Sequence, residues 1–295
     1  MPPVLEASLV AAGGRGKGGA VERGSVVALT RGLAPLMRPA LLPRRLMVRQ
    51  RTLTPSIEVR ILAGHPDIFR QPIGPTFMLA DHILFIDAEA MVIDKPAGLP
   101  VTAPRDGTLS LENHLDSLRF GFQRWPTAVH RLDRDTSGCL LLARNPKAHK
   151  RFAAAFEAGT VRKEYLAVVE GVPGQEAGVI DLALAKTSTR EAGWRMVSDP
   201  AGKRAVTHWR RLASNGGRSL ILFAPETGRT HQIRVHAASG LGAPIVGDPV
   251  YGRGGGAMLL HAWRLTVPRP GKADIAAEAP IPAALAAAGF DHVPA

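Results

Sequence analysis

Beyond Leu79 the sequence is a succession of short apolar and β-branched runs, most of them closed by Gly, Pro, Asn or Asp, and only a few stretches space their apolar residues for a helix. That punctuation favours hairpins over long crossovers, and therefore a sheet built mainly from antiparallel pairs. "HILFIDAEAMVIDKPAGLP" reads as two strands around a turn, closed by a loop at residues 95–100. "TAVHRL" and "GCLLLAR" read as strands flanking a charged connection, and "VRKEYLAVVEGV" as a β-branched and aromatic strand. "AVTHWRRLA" and "SLILFAPE" form a hairpin around "SNGGR", and "MLLHAWRLTV" is one more strand. Apolar residues at 109, 111, 115 and 118 share one helical face. Asn145 as a cap and Pro146 in the first helical position start a second helix, which Gly159 ends. "THQIRVHAAS" and "IPAALAAAGF" supply two shorter helices. The expected fold class is α/β of the α+β kind, a mixed, mainly antiparallel sheet with flanking helices.

Composition bounds what such a chain can be. Its 295 residues are 45% hydrophobic, enough for a substantial core. The single cysteine, Cys139, forbids an intrachain disulfide, suits a reducing compartment, and lies in an apolar run as a small core residue would. No apolar run reaches the ~18 residues of a spanning helix and no signal-peptide pattern opens the chain, so a soluble cytoplasmic protein is expected. The net charge of +12 is uneven: residues 1–78 carry 11 Lys and Arg against 4 Asp and Glu. With "AAGGRGKGGA" and "RPALLPRRLMVRQR", that front reads as a flexible basic extension preceding a catalytic domain at residues 79–295. Such an arm can track phosphates, serve solubility alone, or act as an organelle leader, and Met47 and Met78 are alternative starts.

The segment "HRLDRDTSG", His130 to Gly138, packs two acids, two arginines and a histidine between apolar strands. An ordinary solvated loop has this composition too. A connection between two buried strands, however, holds its side chains on a rigid scaffold, and Arg131 and Arg134 favour an ionised Asp beside them. Asp133 and Asp135 stand on one side of an extended chain, which leaves a glycosidase-like carboxylate pair open. "GRTHQIRVHAASG" supplies Arg229, His231, Arg234 and His236, with His231 and Arg234 on one helical face and Arg229 with His236. Its arginines would repel a cation, and neither zinc-ligand spacing nor a phosphate-binding glycine loop is present, so no metal and no nucleotide cofactor is expected.

Four segments in order, "MVIDKPAGLPV", "HRLDRDTSG", "KEYLAVVEG" and "GRTHQIRVHAASGLGAPIVGDPVYG", resemble the RluA-type RNA pseudouridine synthases over roughly residues 79–290. The resemblance implies a catalytic domain of the pseudouridine synthase type. It implies an RNA substrate, ribosomal or transfer RNA, and an isomerisation that detaches uracil from C1′ and rejoins it through C5 without cofactor or metal. It makes Asp133 the essential carboxylate, Arg131 the residue that displaces the target base, Tyr165 the ring that stacks on uracil, and Arg234 the ion-pair partner of Asp133. Arg229, His231, His236 and Lys163 are candidate RNA contacts, Lys95 is open between structure and function, and His130 is expected to be a scaffold histidine. A monomer with no membrane association is expected. A catalytically inactive RNA-binding protein of the same fold is the alternative, and a small-molecule glycosidase is a third.

Overall fold

The structure, a computed structural model, describes residues 78–190 and 193–294; the expected basic extension lies outside the described residues except for Met78. Twelve strands and three α-helices, with three segments of 3-10 or π-helix, follow one another among the described residues. The strands are β1 (Ile83–Ile86), β2 (Ala90–Lys95), β3 (Thr127–Ala128), β4 (Ser137–Ala143), β5 (Arg162–Glu170), β6 (Ala177–Asp181), β7 (Leu184–Thr189), β8 (Gly193–Ser198), β9 (Val206–Asn215), β10 (Arg218–Pro225), β11 (Leu260–Val267) and β12 (Ile275–Glu278). The α-helices are α1 (Pro146–Glu157), α2 (Gln232–Val235) and α3 (Ala283–Ala287).

Ten strands make one sheet with the path β1-β2-β4-β11-β5-β10-β9-β6, with β3 added to β4 and β12 to β11. Each pairing is antiparallel except β4 with β11, which joins the two halves of the sheet. Strands β7 and β8 form a separate two-stranded hairpin. The expected mixed, mainly antiparallel sheet is what is found.

The central strands are apolar almost without alternation because both faces of the sheet are covered. From β2 and β4, Val92, Cys139 and Leu141 point to the α1 side against Phe152. Met91, Ile93, Leu140 and Leu142 point to the opposite face, where they meet Leu111, Leu115 and Leu118. In the other half, Ile221 and Phe223 pack with Ile233 of α2, while Leu166, Leu220 and Trp263 pack with Leu285 of α3. Burial pushes the Cys139 thiol up to about 12, which fits its expected place as an inert core residue.

Local signals worked where they were self-contained. Asn145 accepts a hydrogen bond from the Ala148 N–H at 2.9 Å, with Pro146 following it, and α1 begins there. The helix expected from residue 109 is a 3-10 helix over Leu111–Leu118, opened by a capping box between Ser110 and Asn113, and Leu109 faces solvent instead of the core. The strand expected over "TAVHRL" shrinks to Thr127–Ala128. Beyond it the Leu141 N–H donates to His130 Nε2 at 3.0 Å, so a side chain takes over from the backbone ladder. The stretch "THQIRVHAAS" starts as α2 and continues as a π-helical turn over His236–Gly240.

Candidate active site

The connection between β3 and β4 is fixed from beneath. Lys95, the last residue of β2, is fully buried and donates to three carbonyl oxygens, Pro96 at 2.7 Å, Leu99 at 2.9 Å and Arg134 at 3.0 Å. The Arg134 carbonyl also accepts the Gly98 N–H at 2.9 Å, and the Thr136 N–H closes a turn onto the Asp133 carbonyl at 3.1 Å. Burial pulls Lys95 down to about 8, against the opposing pull of Asp135, Asp133 and Asp94. A lysine wholly committed to a loop's backbone is a positioning group, so Lys95, open from sequence, belongs to the scaffold.

The same sheet brings the next element into range. Gly138 of β4 pairs with Ala262 of β11, and Ala262 pairs with Tyr165 of β5, so three adjacent strands align the start of β4 with Tyr165. Gly138 has φ +104°, and a Cβ there would run into the Ala262 backbone, so only glycine lets the two halves of the sheet close this tightly.

Arg234 of α2 is the pivot of the site. It is 5% exposed, and its Nη1 donates to Asp133 Oδ2 at 3.1 Å while Nε and Nη2 bind Asp248 Oδ2 and Oδ1 at 2.7 and 2.8 Å. Burial works against the charge on Arg234, but the two carboxylates outweigh it and raise its affinity for the proton, so it stays cationic. Burial would raise Asp248 as well; Arg234 and the N–H groups of Val250 and Tyr251 instead hold it below the usual carboxylate range. Among the described residues no hydrogen bond engages Asp133 Oδ1.

His231 precedes α2 in the left-handed conformation, φ +53°, an uncommon state for a residue other than glycine. That turn aims Nε2 at Asp133 Oδ2, 3.8 Å away, while Nδ1 meets the Tyr251 hydroxyl at 2.9 Å. Burial, aided by Arg234 and Arg131, lowers its proton affinity despite the carboxylates, so a neutral ring faces Asp133. His231 and Arg234 do meet at Asp133, as expected, but not as neighbours on a helical face, because His231 precedes the first helical residue, Gln232.

These groups line a cleft of about 120 Å³ together with Arg131, Lys163, Tyr165 and Arg229. Burial and the charge of Asp133 raise Tyr165 above its ordinary range, keeping a neutral phenol in the pocket wall. Lys163 donates to the Thr227 carbonyl at 3.4 Å, and burial lowers it. Arg229 is exposed and anchors its Nε on the Arg204 carbonyl at 3.0 Å. Asp135 pairs with Arg134 at 3.0 Å and does not line the cleft that holds Asp133, which speaks against a carboxylate pair.

His236 is the correction among the candidate RNA contacts. It is fully buried, with Nδ1 on Thr207 Oγ1 at 2.9 Å and Nε2 on the Leu182 carbonyl at 3.1 Å. A carbonyl only accepts, so Nε2 carries the proton and the ring braces α2 from inside the core. The helical pairing of Arg229 with His236 fails because the regular helix starts only at Gln232.

Asp248, Tyr251 and Gln232 went unassigned from sequence. Gln232 uses its whole amide: Oε1 accepts from Thr227 and Arg229, and Nε2 donates to Val206 and Thr207. The only signal for Asp248 was an acid in "VGDPVYG", a segment quoted for its resemblance and given no role. Among the described residues no cluster of three or more His, Cys, Asp or Glu is placed to hold a metal ion, and no helix is long and apolar enough to cross a membrane.

The profile of the RNA pseudouridylate synthase family matches residues 89–239, which contain Asp133, Tyr165 and Arg234. A Zymomonas mobilis protein described as an uncharacterized RNA pseudouridine synthase is 63% identical over 217 residues, 72% of this chain and 99% of that protein. The ribosomal large subunit pseudouridine synthase D of the same organism is 42% identical over 178 residues, 58% of this chain and 56% of that protein. The solved structure of human RNA pseudouridylate synthase domain containing 4 superimposes with a TM-score of 0.63 at 25% identity, covering 74% of this chain and 96% of that one. Sequence and fold thus agree, and the chain belongs to the RluA-type RNA pseudouridine synthases, enzymes that isomerise uridine in RNA.

Proposed function

We propose that Asp133 is the catalytic carboxylate and that the cleft around it receives a single uridine turned out of the RNA stack. The observation that carries this reading is the Arg234 fork, which binds one oxygen of Asp133 and is itself locked on buried Asp248. The reaction breaks N1–C1′, forms C5–C1′, releases the proton of C5 and gives one to N1, so it balances without a co-reactant. Departure of N1 leaves positive charge on the ribose, which a fixed carboxylate stabilises or traps. The same carboxylate is suited to add to C6 or to take a proton from C2′.

In this reading Tyr165 lies against the uracil face and Arg131, exposed at the rim, fills the place that the base vacates. Lys163 and Arg229 offer positive charge to backbone phosphates at the pocket mouth. His231 acts on the carboxylate side of the pocket. We assign the catalytic domain to residues 79–295, acting as a cytoplasmic monomer. Large-subunit ribosomal RNA is the proposed substrate; the name of the Zymomonas relative supports that choice.

The test is a map of pseudouridine in ribosomal and transfer RNA from cells with and without the gene, rescued by wild type or by Asp133→Asn. One or a few sites in large-subunit ribosomal RNA should be lost and restored by wild type alone. Loss in transfer RNA alone would move the substrate, and rescue by Asp133→Asn would remove Asp133 from its role.

A further inference from the structure

The cleft does not end at Asp133. Trp194, on β8, is 48% exposed and stacks on His231 with ring centroids 5.1 Å apart and planes 28° from parallel. His231 in turn lies 3.8 Å from Asp133 and meets Tyr251 edge-on at 82°. A row of groups therefore runs from the carboxylate outward, Asp133 to His231 to Trp194. The Tyr251 hydroxyl fixes the row in place, binding His231 Nδ1 at 2.9 Å and accepting the Met196 N–H of β8 at 3.0 Å. The β7–β8 hairpin, separate from the large sheet, is thereby tied to the start of α2. Its two strands hold Lys186 and Arg195 and no acid, and Lys186 Nζ stands over the Trp194 ring, 5.4 Å from its centre. An aromatic face half in water, adjoining a cleft for a base and flanked by cations, has the character of a single-strand stacking platform.

We propose that Trp194 stacks on a nucleobase of the substrate RNA adjacent to the target uridine. This deepens the assignment of the Asp133 cleft to a turned-out uridine, and rests on it. His231 stacks on the indole and Lys186 Nζ stands over it; the neighbouring base takes the exposed part of the ring, and the flexible lysine moves aside toward its phosphate. Trp194 selects for RNA whose strand is unstacked beside the target, and any base satisfies it because each has a π-face.

The experiment uses the full chain and short synthetic RNAs spanning the uridine that mapping identifies, with an abasic residue at each flanking position in turn. Trp194→Ala should raise KM on the order of tenfold and lower kcat much less, with Trp194→Phe restoring most of the loss. For wild type, an abasic residue at one flanking position should raise KM by a similar factor, and Trp194→Ala should be indifferent to that change. Equal abasic penalties for wild type and Trp194→Ala at every position would overturn the proposal, as would a Trp194→Phe protein as impaired as Trp194→Ala. If wild type modifies no RNA at all, the reading of the cleft fails, and this one with it; wild-type turnover separates the two failures.

Discussion

Arg234 faces two carboxylates of unequal burial, and that inequality divides their work. Asp248, fully buried, neutralises the guanidinium and sets its plane; Asp133, with 19% of its side chain exposed, presents its carboxylate to the cleft. Asp133→Asn preserves the shape and removes the charge, so turnover measured by pseudouridine formation should vanish while RNA affinity stays near wild type. Asp248→Ala leaves a buried guanidinium short of a partner and should destabilise the protein by about 3–5 kcal/mol in urea unfolding, with turnover falling as well. Arg234→Ala should damage kcat more than KM, because the buried guanidinium spends its hydrogen bonds on the two carboxylates. The pairing of Asp133 with Arg234 was legible from the family motifs. Asp248 was not, since a lone acid beside a proline has many ordinary uses and only burial beside Arg234 distinguishes it.

At the scale of elements, the joint between β4 and β11 governs the site. It is the one parallel pairing of the sheet among the described residues, and it holds Gly138 against Ala262 five residues from Asp133. Gly138→Ala combines an unfavourable φ with a clash against backbone that cannot move aside, and should cost about 2 kcal/mol or more. A Tm lowered by several degrees, with activity reduced in the protein that remains folded, is the expected result. A wild-type Tm would show that the two halves of the sheet tolerate separation. Most strands of the large sheet were legible because buried apolar runs and turn residues are local signals; the short edge strands β6 and β12, with few buried residues, were not. The β7–β8 hairpin was not, because "LAKTST" and "GWRMVS" carry little apolar alternation and are held by Tyr251 and by the α2 region instead.

The folded molecule keeps buried His261 and half-buried His130 neutral, and both contribute to its behaviour in acid. Burial, aided by the charge of Lys163, lowers His130 to about 3, and burial lowers His261 to about 4, from an ordinary value of 6.5. Each therefore binds its proton more readily unfolded than folded. Their contribution is complete above pH 6.5 and is lost as pH falls, through about 4 for His261 and about 3 for His130. Each group contributes a slope of up to ~1.4 kcal/mol per pH unit within its window. Urea midpoints should fall between pH 6.5 and 4, and His261→Gln should show a shallower decline than wild type. An unchanged slope would mean that His261 titrates alike in both states. His130 was expected to be scaffold, and its bond to the Leu141 N–H gives that role a physical form.

The sequence by itself determined the strand-rich α+β class, the order of the main strands and the cap of α1, each written in residues close enough along the chain to interact locally. The choice of Asp133 within the charged loop came from the resemblance to a family. Only the tertiary structure decided that Asp248 rather than a neighbour of Asp133 would complete the ion pair, that His236 would brace the core, and that Trp194 would stand beside the cleft. Those outcomes depend on side chains from distant strands meeting at one depth in the sheet, where burial makes every charge and hydrogen bond require a partner.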